Sequence, residues 1–223
     1  MTSFGWGSRN VAIGALGINV ALVGTLALMV GIIDYVPYSV GEALVDASQG
    51  IARFTMVATV IGALGFLPWL SKTYARALIV APTPELEEQQ RRGPVTGFFL
   101  PILNLFRPYR AVKTLDEALD PDRVPVAPPK LVPDGPATYR DAPLEVFERR
   151  AAPSAPVAIW WALWIARTFG ALLTRGTQSN LMIAAWDLVV CACAVAACLV
   201  VWRISGRLTE VERRQGAIAA QDG

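Results

Sequence analysis

The sequence contains no histidine, which removes the commonest general base, zinc ligand and haem ligand at once. Charge is scarce as well. Only 17% of the 223 residues are Asp, Glu, Lys or Arg, against about 25% in an ordinary soluble domain. With 54% apolar residues and a mean hydropathy of +0.43, the chain is too apolar for a water-soluble globule. Lys72, Lys113 and Lys130 are its only lysines beside 17 arginines, a bias that with abundant Ala, Gly and Pro points to a GC-rich bacterial genome. Its 3 cysteines, Cys191, Cys193 and Cys198, lie in one apolar run. Cys191 and Cys198 share a helix face and Cys193 does not, so no bridge forms within that helix and all three act as small apolar fillers. Asp116, Glu117, Asp120 and Asp122 lack an EF-hand pattern, so no metal is expected. No cofactor or nucleic-acid partner is implied. Without a nucleophile–base or metal-ligand constellation, the chain is expected not to be an enzyme.

What the chain does have is long uncharged runs. Residues 11–33 carry no charge, enough to cross a bilayer with some tilt and too long for the apolar part of a cleaved signal peptide. Gly14, Gly17, Ala21, Gly24, Leu28 and Gly31 recur at spacings of 3 and 4, a seam where a neighbouring helix can approach closely. Asn19 lies beside it, placed to bond across. Residues 34–50 form an acidic connection with a turn or two of helix after Pro37. A second span covers 51–70, with Arg53 snorkelling at its mouth and Pro68 bending its exit. A helical extension over 71–92 follows, its Thr83-Pro84 an N-cap and first-turn proline. Further spans are expected at 157–174, interrupted by Arg167, and at 181–202, interrupted by Asp187, joined by a turn at 175–180. A central Arg or Asp costs about 2.5–3.5 kcal/mol on insertion scales. The two lie at nearly equal depth on antiparallel neighbours, so an ion pair that fixes their register is expected, with Arg53 as rival partner for Asp187.

The organising stretch is Gly93 to Arg110, within the segment 93–119. Its apolar run, Val95 to Phe106, is 12 residues long, which at about 1.5 Å each falls short of a hydrocarbon core of about 30 Å. It is expected to re-enter the bilayer from one side or lie at its interface, with Pro101, Asn104 and Pro108 shaping the turn. An amphipathic helix from Pro108 to Leu119 is expected to lie along the membrane surface. Arg107, Arg110 and Lys113 beside its N-terminus are candidate contacts for an anionic lipid headgroup or phosphate. A proline-rich linker occupies 120–156, and 203–223 is a basic helical tail.

Basic residues set the orientation. Between the second and third spans stand 12 of them, from Lys72 to Arg150, Arg9 precedes the first span, and Arg203, Arg207, Arg213 and Arg214 follow the fourth. Both termini and the long loop therefore face the cytoplasm. Trp6, Trp69, Trp160, Trp161 and Trp202 fall near the same boundary, where amphipathic rings are favoured.

Trp69-Leu70 before a basic helix, Gly93-Pro94 leading to Phe98-Phe99-x-Pro101-x-x-Asn104-x-x-Arg107-Pro108-Tyr109, the pair Trp160-Trp161 and the ending Arg213-Arg214-Gln215 carry a resemblance. This order is similar to bacterial domain-of-unknown-function family 4328, small four-span membrane proteins. An aromatic of the family pattern is replaced here at Leu115-Asp116, and the proline-rich linker is longer. The resemblance implies an all-α, multi-pass protein of the cytoplasmic membrane and no chemistry. The expected function is an accessory or scaffold subunit that docks other membrane proteins or a second copy. A small transporter or channel is the alternative, and an inner-leaflet lipid-modifying enzyme a further one.

Overall fold

A computed structural model describes residues 4–98, 106–120, 155–173 and 179–221. Among these every element is helical: α1 (Phe4–Ile32), α2 (Tyr38–Val80), α3 (Pro84–Arg92), α4 (Arg107–Ala118), α5 (Ala155–Leu173) and α6 (Asn180–Gln221), with 3-10 turns at Ile33–Tyr35 and Thr96–Phe98. Pro101, Asn104, most of the linker 120–156 and most of the turn 175–180 lie outside the described residues. Three helices are long and apolar enough to cross a membrane, within Gly7–Tyr35, Tyr38–Val80 and Asn180–Ala217. The described elements are thus all helical, and three of them suit a multi-pass membrane protein.

One expected boundary moves. The connection 34–50 is not a loop, because α2 begins at Tyr38 and runs without a break to Val80. The Pro37 carbonyl accepts the Val40 and Gly41 amides, each at 2.9 Å, and starts the helix there. From Glu42 to Gln49 the residues are mostly good or neutral helix formers with no proline among them. Polarity ends the apolar run at that point; nothing ends the helix. Pro68 sits inside α2 without terminating it, and the extension beyond residue 70 is helical as expected.

The helices divide between two compact units, one made of residues 1–71 and 155–202, the other of 72–154 and 203–223. In the first, α1 and α2 are antiparallel. A Cβ on Gly65 would lie 3.3 Å from the Ala12 Cα and one on Gly62 3.6 Å from the Leu16 Cδ2, so the missing side chains let the backbones close. Further along the same contact the Asn19 Nδ2 donates to the Thr59 Oγ1 at 2.8 Å, the cross-helix bond expected of Asn19. On another side α1 meets α6, with Gly24 facing the Cys191 sulfur and Gly31 facing Ala184.

The seam therefore splits. Gly14 and Gly17 have open space where a side chain would be, and Ala21 is exposed. A repeat averaging 3.5 residues drifts about 20° per heptad around a straight helix, so its two ends cannot face one neighbour. Aromatic packing holds α5: Trp160 is 2% exposed, with its ring 6.1 Å from that of Phe66 on α2 and 6.1 Å from that of Trp164.

In the second unit, α3 is capped as expected, the Thr83 hydroxyl accepting the Leu86 amide at 3.2 Å. Gly93 ends it with φ 74°, a left-handed conformation that a side chain resists. The core here is Tyr74, Ala77, Leu86, Val112, Leu115, Leu119, Ile204 and Val211. The apolar face of α4 thus differs from the expected membrane-surface face: it is covered by this chain's own residues. The cause lies in α2 and α6, which carry apolar positions beyond their uncharged runs and meet α4 there.

Candidate functional site

On α4 the positions 108, 111, 112, 115, 116 and 119 fall on one side, and all six are buried. Five are apolar and the sixth is Asp116, 3% exposed. A carboxylate in such a place needs cations and donors. The polar half of α6 supplies both: the Arg203 Nε lies 3.2 Å and the Arg207 Nη1 3.0 Å from the Asp116 Oδ1. Arg207 also donates to the Asp116 backbone carbonyl and extends its Nη2 to within 3.8 Å of the Asp120 Oδ2. Two arginines at i and i+4 on one helix therefore clamp one acid on another.

Three more ties join the end of α2 to these two helices. The Tyr74 hydroxyl, at the end of α2, donates to the Ala111 carbonyl of α4, and burial pushes that hydroxyl's pKa up. The Arg76 Nε lies 2.6 Å from the Glu212 Oε1, and the Gln215 amide donates to the Val80 carbonyl, capping α2. Past them Glu210 accepts from Arg213 and Arg214, and these hydrogen bonds hold its carboxyl down at about 2. Tyr74 and Glu210 both lie beyond the apolar runs 51–70 and 181–202.

The three candidate anion contacts do not act alike. Lys113 is committed to Glu117, 3.8 Å away one turn along α4. Arg107 is half-buried at the edge of the buried face of α4, and Arg110 is exposed on the side away from the core. Pro108 is buried in the first turn of α4, where its missing amide costs nothing. No group of acids or cysteines among the described residues is arranged to hold a metal ion.

Inside the first unit the expected Arg167–Asp187 ion pair does not form. Arg167 lies beside the Cys193 thiol, and its Cζ stands 6.0 Å from the centre of the Trp164 ring. The Asp187 Oδ2 is buried with no hydrogen-bond partner, and the rival Arg53 is exposed. Side chains lean toward the N-terminus of their own helix. On antiparallel helices that sends Arg167 and Asp187 in opposite directions, and the long stem follows the lean. Cys193 lies six positions past Asp187, on the side to which Arg167 leans.

A measurable consequence follows. Asp187→Asn removes an unpartnered charge without changing shape, so thermal stability in detergent is expected to stay level or rise by up to about 1 kcal/mol. A loss matching that of Arg167→Gln would restore the pair.

Sequence alone points to Asp116 only as a poor metal ligand and not to this clamp. The signal was there: an acid eight residues after Pro108 and four after Val112 falls on the apolar face of that helix. Such an acid asks for a cation, and Arg203 and Arg207 stand one turn apart on the tail.

A comparison with protein families matches residues 35–206 to a family described as a domain of unknown function (DUF4328). No curated protein and no solved structure matches the chain. The matched span takes in α2, α3, α4 and α5, most of α6, and with them the Asp116 clamp through Arg203.

Proposed function

Because the chain belongs to the domain-of-unknown-function family DUF4328, which brings no chemistry with it, we propose from its geometry that it is a four-span, non-catalytic protein of the bacterial cytoplasmic membrane. Its role is that of an accessory subunit that docks other membrane helices. Chain parity supports the fourth span. The end of α2 from Lys72 and the end of α6 from Arg203 belong to one compact unit, so a chain that leaves that unit through α2 and returns to it through α6 crosses an even number of times between them. Since α6 is apolar enough to cross, α5 crosses too. Its 19 residues reach about 28 Å at about 1.5 Å each. The excess of arginine in the loop and tail supports a cytoplasmic side for that unit and for both termini.

The observation that carries the docking role is the divided seam of α1. Gly24 and Gly31 are used against α6, while Gly14 and Gly17 face open space. Small residues left open on a membrane helix let a second helix approach closely. In the full chain, Gly14→Leu with Gly17→Leu is expected to abolish stoichiometric co-purification of a membrane partner, or cross-linking of two copies, and to leave the melting temperature unchanged. Undiminished association would overturn the docking role. The unpartnered oxygen of Asp187 favours the transport alternative; flux through proteoliposomes of the protein alone, lost in Asp187→Asn, would establish it.

A further inference from the structure

We propose that Phe106, Arg107 and Arg110 at the start of α4 dock on an anionic lipid surface. Three independent observations meet at these residues. Phe106 is a large apolar side chain left 63% exposed. Arg110 is exposed and Arg107 half-buried, and among the described residues neither makes an ion pair. Among the described residues, the acids of α4 and of the polar half of α6 are paired elsewhere: Glu117 with Lys113, Asp116 and Asp120 with the α6 arginines, Glu210 with Arg213 and Arg214, and Glu212 with Arg76. Among the described residues, then, two positive charges without an ion pair stand beside an exposed ring.

The third observation is the chain that arrives there. Residues 99–105, Phe-Leu-Pro-Ile-Leu-Asn-Leu, carry no charge and end at Phe106. An uncharged apolar stretch that terminates in an exposed aromatic and two arginines matches the chemistry of a headgroup layer. Rings and aliphatic groups favour the acyl boundary, and guanidinium groups favour the phosphates. The packing of α4 also decides which cations take part. With the face through Ala111, Val112, Leu115 and Leu119 buried in its own unit, α4 meets lipid by its N-terminal turn and not by its length. Lys113, held by Glu117, drops out.

This inference rests on the membrane reading above and is separable from it. The full chain is purified in mild detergent, stripped of lipid, and titrated with phosphatidylglycerol or phosphatidylcholine under native mass spectrometry. The wild type is expected to prefer phosphatidylglycerol. Arg107→Gln and Arg110→Gln are each expected to weaken that binding about fivefold and the double variant about 25-fold, from about 1 kcal/mol per basic residue near an anionic surface. Arg91→Gln, an exposed arginine of α3, is expected to change nothing, and circular dichroism checks that each variant folds.

Equal binding of the two lipids, or no loss in the double variant, overturns the proposal. Displacement of phosphatidylglycerol by millimolar inorganic phosphate overturns it in favour of a free-anion site. An acidic protein retained by the wild type and lost in the double variant, without a lipid preference, assigns the patch to a protein instead. A chain that stays in solution without detergent refutes the membrane reading itself, a different failure from the loss of lipid preference.

Discussion

Asp116→Ala is expected to detach α4 from α6, at a cost of about 3–5 kcal/mol, the range for removing one partner of a buried ion pair. The magnitude comes less from the attraction lost than from what stays behind. Arg207, its side chain 19% exposed, and Arg203, 34% exposed, were desolvated on account of this acid and would keep two guanidinium groups without it. The arginine substitutions are milder, since losing either leaves Asp116 with the other. Hydrogen exchange over 107–118, and tryptic cleavage after Arg107 and Arg110, read the change locally. Replacing the group together, Asp116→Leu with Arg203→Met and Arg207→Met, is expected to recover most of the protection, because an apolar cluster of similar volume substitutes for a buried ionic one. If Asp116→Ala costs no more than the fraction of a kcal/mol typical of surface pairs, the clamp does not hold α4 in place.

Gly170→Ala is the second large effect, and its sign opposes helix propensity. In an exposed helix the added methyl would gain about 1 kcal/mol. Here a Cβ would fall 2.1 Å from the Trp186 Cζ3 and 2.5 Å from its Cε3, and an indole ring is too rigid to give way locally. Overpacking of this kind costs about 1–3 kcal/mol and occasionally more, so the net change is destabilising, and Gly170→Val is worse. The same substitution at Gly14, where nothing lies within 4 Å, is expected to be neutral or favourable for the isolated protein. Thermal unfolding in detergent compares the two. The contact is tested by a double variant: Gly170→Ala with Trp186→Leu should lose at least about 1 kcal/mol less than the two singles summed. A stabilised Gly170→Ala would refute the close approach of α5 and α6.

Several features needed no structure to find. Thr83-Pro84 announces a cap that works within three residues, and Asn19 beside small residues announces a cross-helix bond. Both are local, or depend only on a face that a 3.6-residue period defines. The expectations that failed depended on where two distant elements meet. The stretch 34–50 reads as a connection because polarity and helix boundary usually coincide, and from Tyr38 onward they do not. The amphipathic face of α4 was assigned to lipid because an apolar stripe states that it must be covered, without stating by what.

The apolar runs, the helical class, the capping and the arginine-rich side of the chain follow from the sequence, because the transfer of a residue out of water is paid for locally and sums along the run. Tertiary structure alone decided the charge partners: Arg167 does not meet Asp187, and Asp116 receives Arg203 and Arg207. A pairing is settled by the lean of each side chain and by a few ångströms between separate helices. No spacing along one strand of sequence contains that distance.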